Sequence, residues 1–122
     1  MLAASAGERK VVAPPPVVHR LKTYPGQFRA VKAGRKKHDI RLEDDRSFAE
    51  GHHLLLQEWD PSDQHYTGDE HTVLVTYVSR GPDWGLPRRM VVMSITSDLT
   101  VKPKGDAAEQ RRRLDGIGAE EL

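Results

Sequence analysis

Apolar and polar positions along the chain fall into five short β-patterned segments and one helical segment, between flanks that carry no apolar period. The first segment, VVHRLK, opens the domain near Val18 and is stopped by Tyr24, Pro25 and Gly26, which predicts strand one. Pro25 suits a first helical turn, where its missing N–H would be unsatisfied anyway, and Gly34 sits where a left-handed residue closes a helix. Between them Phe28 and Val31 share a face with Ala30 or Ala33, while Gln27, Arg29 and Lys32 face outward. The spacing predicts a helix over Pro25 to Ala33 that docks one narrow apolar stripe on a sheet.

Lys37 to Leu42 alternates, with His38, Ile40 and Leu42 on one side and Asp39 and Arg41 on the other, and is strand two. His53 to Trp59 reads as a buried strand, and DPSDQHYTGD after it as a long hairpin loop. TVLVTYVS, Thr72 to Ser79, is β-branched almost throughout and predicts a central strand; MVVMSIT, Met90 to Thr96, predicts another after the loop RGPDWGLPRR. The order β-α-β-β-β-β describes an α+β, mostly β fold: a small, twisted, mostly antiparallel sheet able to close into a barrel. Residues 18–97 form the domain. Residues 1–17, with Pro14, Pro15 and Pro16, read as a flexible Ala/Pro-rich arm, and residues 98–122 as a charged tail in which Asp106 to Leu114 has a capping-box opening for a short helix. Arg111, Arg112 and Arg113 in that tail read as solvated charge, with phosphate contact as an accessory role.

Composition narrows this picture. At 122 residues there is room for one domain with one core. No cysteine is present, which removes disulfides and thiolate metal ligation and fits a cytoplasmic protein. The longest run of large aliphatics is Leu54 to Leu56, so neither a membrane span nor a secretory signal is expected. The net charge of +1 hides two blocks: eight Lys and Arg against one acid from Arg20 to Arg41, then nine acids against one base, Arg46, from Leu42 to Thr76. On separate faces they would make a basic surface for phosphate and an acidic one that opposes wrong docking; interleaved, they neutralise one another.

HRLKTYPGQFRAVKAGRKKHDIRLEDDRSFAEGHHLLLQEWDPSDQHYTGDEHTVLVTY, followed by Gly85-Leu86 and VVMSI, resembles the small ASCH-type domains of bacteria and phages, of the PUA-like superfamily (ASCH, activating signal cointegrator homology). The match runs over roughly two thirds of the chain through a leading H-x-L-K, the helix P-x-x-F-x-A-V, the G-x-K turn, I-R, D-R, E-W-D-P and Y-T-G. The resemblance implies a PUA-like β-barrel with a helix after the first strand, and a cleft at the G-x-K turn and the following strand that faces RNA, a nucleotide or a nucleoside. Two departures stand out. Asp39 replaces the family's usual Glu, and His52 follows Gly51 where Asp is common. Some ASCH-like members remove an acetyl group from a modified cytidine with a Lys in the turn, a Thr three residues on and a Glu before the last strand. Lys36 matches the Lys, but the Thr position is Asp39 and RGPDWGLPRR holds no Glu, so the hydroxyl nucleophile is missing.

The candidate ligand residues are Lys22, Lys36, Asp39, Arg41, Arg46, Trp59 and Tyr66. Lys36, after a glycine turn, could meet a phosphate together with the turn's N–H groups, or be an exposed turn lysine. Asp39 and Arg41 share one strand face, where they either read a base edge and a phosphate or satisfy each other. Arg46 is expected to pair with Asp44 or Glu43. Trp59 and Tyr66 either stack a splayed base or cover the barrel end. If the protein is an enzyme, Lys36 and Asp39 are its catalytic candidates, by proton transfer on a modified nucleoside or on RNA. The histidines show no ligand spacing, and neither a metal nor a cofactor is expected. An RNA or nucleotide binding module is the leading reading, a nucleoside hydrolase the second, and a phage or bacterial protein-interaction domain using the acidic block the third.

Overall fold

A computed structural model describes residues 15–102, so most of the arm and the tail with its expected helix lie outside the described residues. The elements are β1 (Val18–Thr23), α1 (Pro25–Lys32), β2 (His38–Leu42), β3 (His53–Asp60), β4 (His65–Arg80), a 3-10 turn (Asp83–Gly85) and β5 (Met90–Thr96). The helix begins at Pro25 as expected and is closed by Gly34, whose φ of +81° is costly for any residue with a Cβ.

All five strands belong to one sheet in the order β1-β3-β4-β5-β2. Only β1 and β3 run parallel, which follows from their connection through α1 and β2; every other neighbour pair is antiparallel. The curled inner face carries Leu54 and Leu56 of β3, Val73 and Val75 of β4, and Val91, Met93 and Ile95 of β5, with Phe28 and Val31 of α1 packed among them. Strict alternation along β4 would bring Tyr77 to that face. A register shift between Val75 and Tyr77 changes the phase and places Val78 there instead.

Two expectations are corrected. The segment from Asp60 to Asp69 is not a long loop, because β4 starts at His65 and the turn occupies only the residues between Asp60 and His65. Exposed polar residues there are carried by ladder bonds to β3, which need no apolar face. The buried strand His53 to Trp59 is buried on one face only, through Leu54, Leu56 and Glu58. In β2 the two faces divide as expected, with Ile40 and Leu42 exposed and the charged pair Asp39 and Arg41 turned inward.

The expected β-barrel is likewise corrected to a curled half-barrel, because β1 and β2 are not paired by backbone bonds. β1 and β2 are its two edges, and side chains bridge the seam: Arg41 Nη1 donates to the Lys22 carbonyl at 3.0 Å, and Arg46 Nη1 to the Arg20 carbonyl at 3.4 Å. Guanidinium groups thus satisfy two carbonyls on the open edge of β1 that a further strand would otherwise take.

A candidate ligand cleft at the open seam

The seam opens into a cleft of about 570 Å³ lined by Lys22, Thr23 and Tyr24, by Gly26 and Gln27 at the start of α1, by Lys36, and by Asp39, Ile40 and Arg41 of β2. Four sequence candidates, Lys22, Lys36, Asp39 and Arg41, therefore share one wall system, because β1, α1 and β2 follow one another in the chain and meet where the barrel fails to close.

Arg41 holds the site's frame. Its Nε donates to Asp39 Oδ2 at 2.6 Å, Nη1 to the Lys22 carbonyl, and Nη2 to Thr23 Oγ1 at 3.3 Å. Asp39 is only 3% exposed, and this ion pair is what makes a carboxylate tolerable there. Each Nη has a second N–H beyond these bonds, and Asp39 Oδ1 accepts no hydrogen bond among the described residues, so the pair still offers donors and an acceptor to a ligand. Thr23 is buried, its hydroxyl donating to the Leu21 carbonyl at 3.1 Å while its oxygen accepts from Arg41. Lys36 reaches back to Gln27 Oε1 rather than to Asp39. The turn N–H groups do not converge on a ligand as expected: those of Arg35 and Lys36 both go to the Ala30 carbonyl and that of Gly34 to Val31, because the helix end uses them. Of this turn, Lys36 lines the cleft.

Residues 18–95 match the domain of unknown function DUF3850. The chain belongs to this family. Among curated proteins none matches it. The matched span starts with β1 and ends within β5, so every residue lining the cleft lies inside the DUF3850 domain.

The remaining candidates fall elsewhere. Arg46 pairs with Asp45 at 3.5 Å, not with Glu43 or Asp44, and its other bond goes to the β1 edge. Glu43 instead takes Arg80 at 3.4 Å, and Asp44 takes Arg89 at 3.2 Å. The acidic run is thereby interleaved with arginines from three segments. Trp59 and Tyr66 face each other across the β3–β4 ladder with ring centroids 4.9 Å apart, edge to face, and Lys22 Nζ lies 4.0 Å from the Trp59 centroid. Asp60, Asp63 and His65 gather at the hairpin tip. The Asp60 carboxylate there accepts the Ser62 and Asp63 N–H groups, as turn aspartates do.

Sequence reasoning missed Thr23, Tyr24 and Gln27, and it missed a histidine pair in the DUF3850 domain. His19 Nε2 and His52 Nδ1 are 2.9 Å apart, and the His19 ring packs at 4.6 Å on Phe48. The alternation of His19 with Leu21 was the available signal for an inward-facing imidazole. Nothing in a 33-residue separation announces its partner. Burial lowers the pKa of both, aided at His19 by His52 and Arg46 and at His52 by Arg80; Arg80 is itself paired with Glu43, which also accepts the Phe48 N–H. Because the folded pKa values lie below the unfolded 6.5, the unfolded chain takes up protons first. Stability is expected to be greatest above that value and to fall as pH drops through it towards the folded values. Thermal denaturation between pH 8 and 5 checks this, with His52→Asn expected to flatten the dependence.

Proposed function

We propose that the DUF3850 domain is an RNA or nucleotide binding module of PUA-like type that holds its ligand in the seam cleft. The observation that carries this reading is that Lys22, Lys36, Arg41 and the buried Asp39, from three consecutive segments, line one open cleft. The ammonium groups and the free guanidinium N–H groups suit phosphate, and Asp39 Oδ1 suits the amino group of a base. Tyr24, 55% exposed in the same cleft, offers a ring for stacking. The β-α-β-β-β-β order and the single parallel pair support the PUA-like, ASCH-type assignment.

The hydrolase reading has less to support it. Of its two candidates, Asp39 is ion-paired with Arg41 and Lys36 is turned to Gln27, so the two are not arranged for proton transfer with one another. For a protein-docking role of the acidic block, the first three of its acids, Glu43, Asp44 and Asp45, are already paired with arginines. Fluorescence anisotropy with labelled single-stranded RNA tests the proposal. Affinity should fall steeply as salt rises, and Lys36→Ala should weaken binding and flatten the log–log salt slope by about one. Absence of binding at low salt overturns the reading. Release of acyl groups from acylated nucleosides by the wild type but not by Lys36→Ala would favour the enzyme instead.

A further inference from the structure

We infer that Trp59 and Tyr66 form a second subsite, for an unpaired base next to the nucleotide held in the cleft, and that Lys22 joins the two. This rests on the cleft reading above and makes the ligand an oligonucleotide rather than a mononucleotide.

A tryptophan that merely caps a barrel end turns inward. Trp59 instead sits on the outer side of β3, since its neighbour Glu58 is the one that points in, and its cross-strand partner Tyr66 is 47% exposed. The pair is an aromatic platform on the sheet surface, the arrangement on which single-stranded bases stack. Lys22 connects it to the cleft: one side chain both lines the cleft and rests its ammonium over the Trp59 ring. That contact has the strength of a cation–π interaction, which a stacking base can replace. The displaced ammonium then has the phosphate linking the two nucleotides as its partner.

Charge across this face sets the direction. Arg20 and Lys22 stand exposed on β1, Gln57 follows on β3, and Glu70, bonded to Gln57 at 2.8 Å, stands on β4. Asp60 and Asp63 close the hairpin tip beyond the rings. A phosphate is favoured on the β1 side and opposed on the β4 side, so the backbone keeps to the β1 edge while the base reaches over to the platform.

The chain has two tryptophans, and the other, Trp84, lies exposed in the 3-10 turn, outside both subsites. In a Trp84→Phe background, Trp59 fluorescence reports the platform alone. Adenosine 5′-monophosphate and the dinucleotide ApA carrying a 5′-phosphate are titrated at low salt. The expected result is that both bind in a Lys36-dependent manner, that only the dinucleotide quenches Trp59, and that it binds roughly tenfold more tightly. That gain should vanish in Tyr66→Ala, an exposed position chosen because Trp59→Leu can disturb the fold. Equal affinities with no quenching, while Lys36→Ala still weakens both, overturn the second subsite and leave the cleft reading standing. No binding of either ligand overturns both.

Discussion

Replacing Arg41 with alanine is expected to destabilise the domain by about 3 kcal/mol, the low end of the range for stranding a buried charge. Three bonds go at once: the one to Asp39, the one to the Lys22 carbonyl and the one to Thr23. The largest part of the loss is at Asp39, whose carboxylate loses its only ion-pair partner among the described residues at a position 3% exposed. Urea denaturation followed by circular dichroism should show a lower midpoint. Arg41→Lys should recover little of it, since a lysine cannot send three directed donors to three acceptors. The paired change Asp39→Leu with Arg41→Met removes both charges and is expected to restore most of the midpoint, while removing the two groups on which the proposed ligand contact depends. If the double variant is as unstable as Arg41→Ala, the seam is held by the guanidinium's bonds to β1 and not by the ion pair.

Phe48→Ala is expected to cost about 3–5 kcal/mol. Phe48 is 1% exposed and lies between β2 and β3, outside any strand or helix, so its ring is what inserts this segment into the core. The polar bonds around it depend on that insertion. Glu43 accepts the Phe48 N–H at 2.8 Å, Arg80 donates to its carbonyl, and His19 packs on the ring. Emptying the site removes the transfer energy of the ring, leaves a cavity, and loosens the segment that brings His52 to His19. Phe48→Leu, which keeps most of the volume, should cost far less. Hydrogen exchange reads the local effect directly. The Gly51 amide, bonded to the Val75 carbonyl, and the Val75 amide, bonded to that of His52, should lose protection in Phe48→Ala. The pH dependence carried by the histidine pair should weaken in the same variant.

Much of the fold was legible because its signals are local. Pro25 and Gly34 bracket α1 through backbone conformations that few other residues adopt well, and the β-branched run from Thr72 marks β4 without reference to any neighbour. The turn-forming residues beyond Asp60 point to a loop by composition, whereas ladder bonds to β3 carry them in a strand and hold Tyr66 opposite Trp59. Of the candidate site, Lys36 could be named from its glycine turn and the resemblance, Asp39 and Arg41 from the charged face of β2, and Lys22 from its place at the end of β1. Thr23, Tyr24 and Gln27 could not, since neither their chemistry nor their spacing sets them apart from ordinary strand-end and helix residues.

The amino-acid sequence by itself determined the number and order of the strands and the α-helix in the described region, and that β2 has one aliphatic and one charged face. A period of two separates faces but does not say which of them meets the core. Only the tertiary structure decided that Asp39 and Arg41 turn inward, because β2 lies at the edge of the curled sheet, where a guanidinium can reach the open carbonyls of β1. It also decided that the barrel stays open and that His19 meets His52. Both depend on contacts between residues far apart in the chain, whose energy exists only once the sheet has curled.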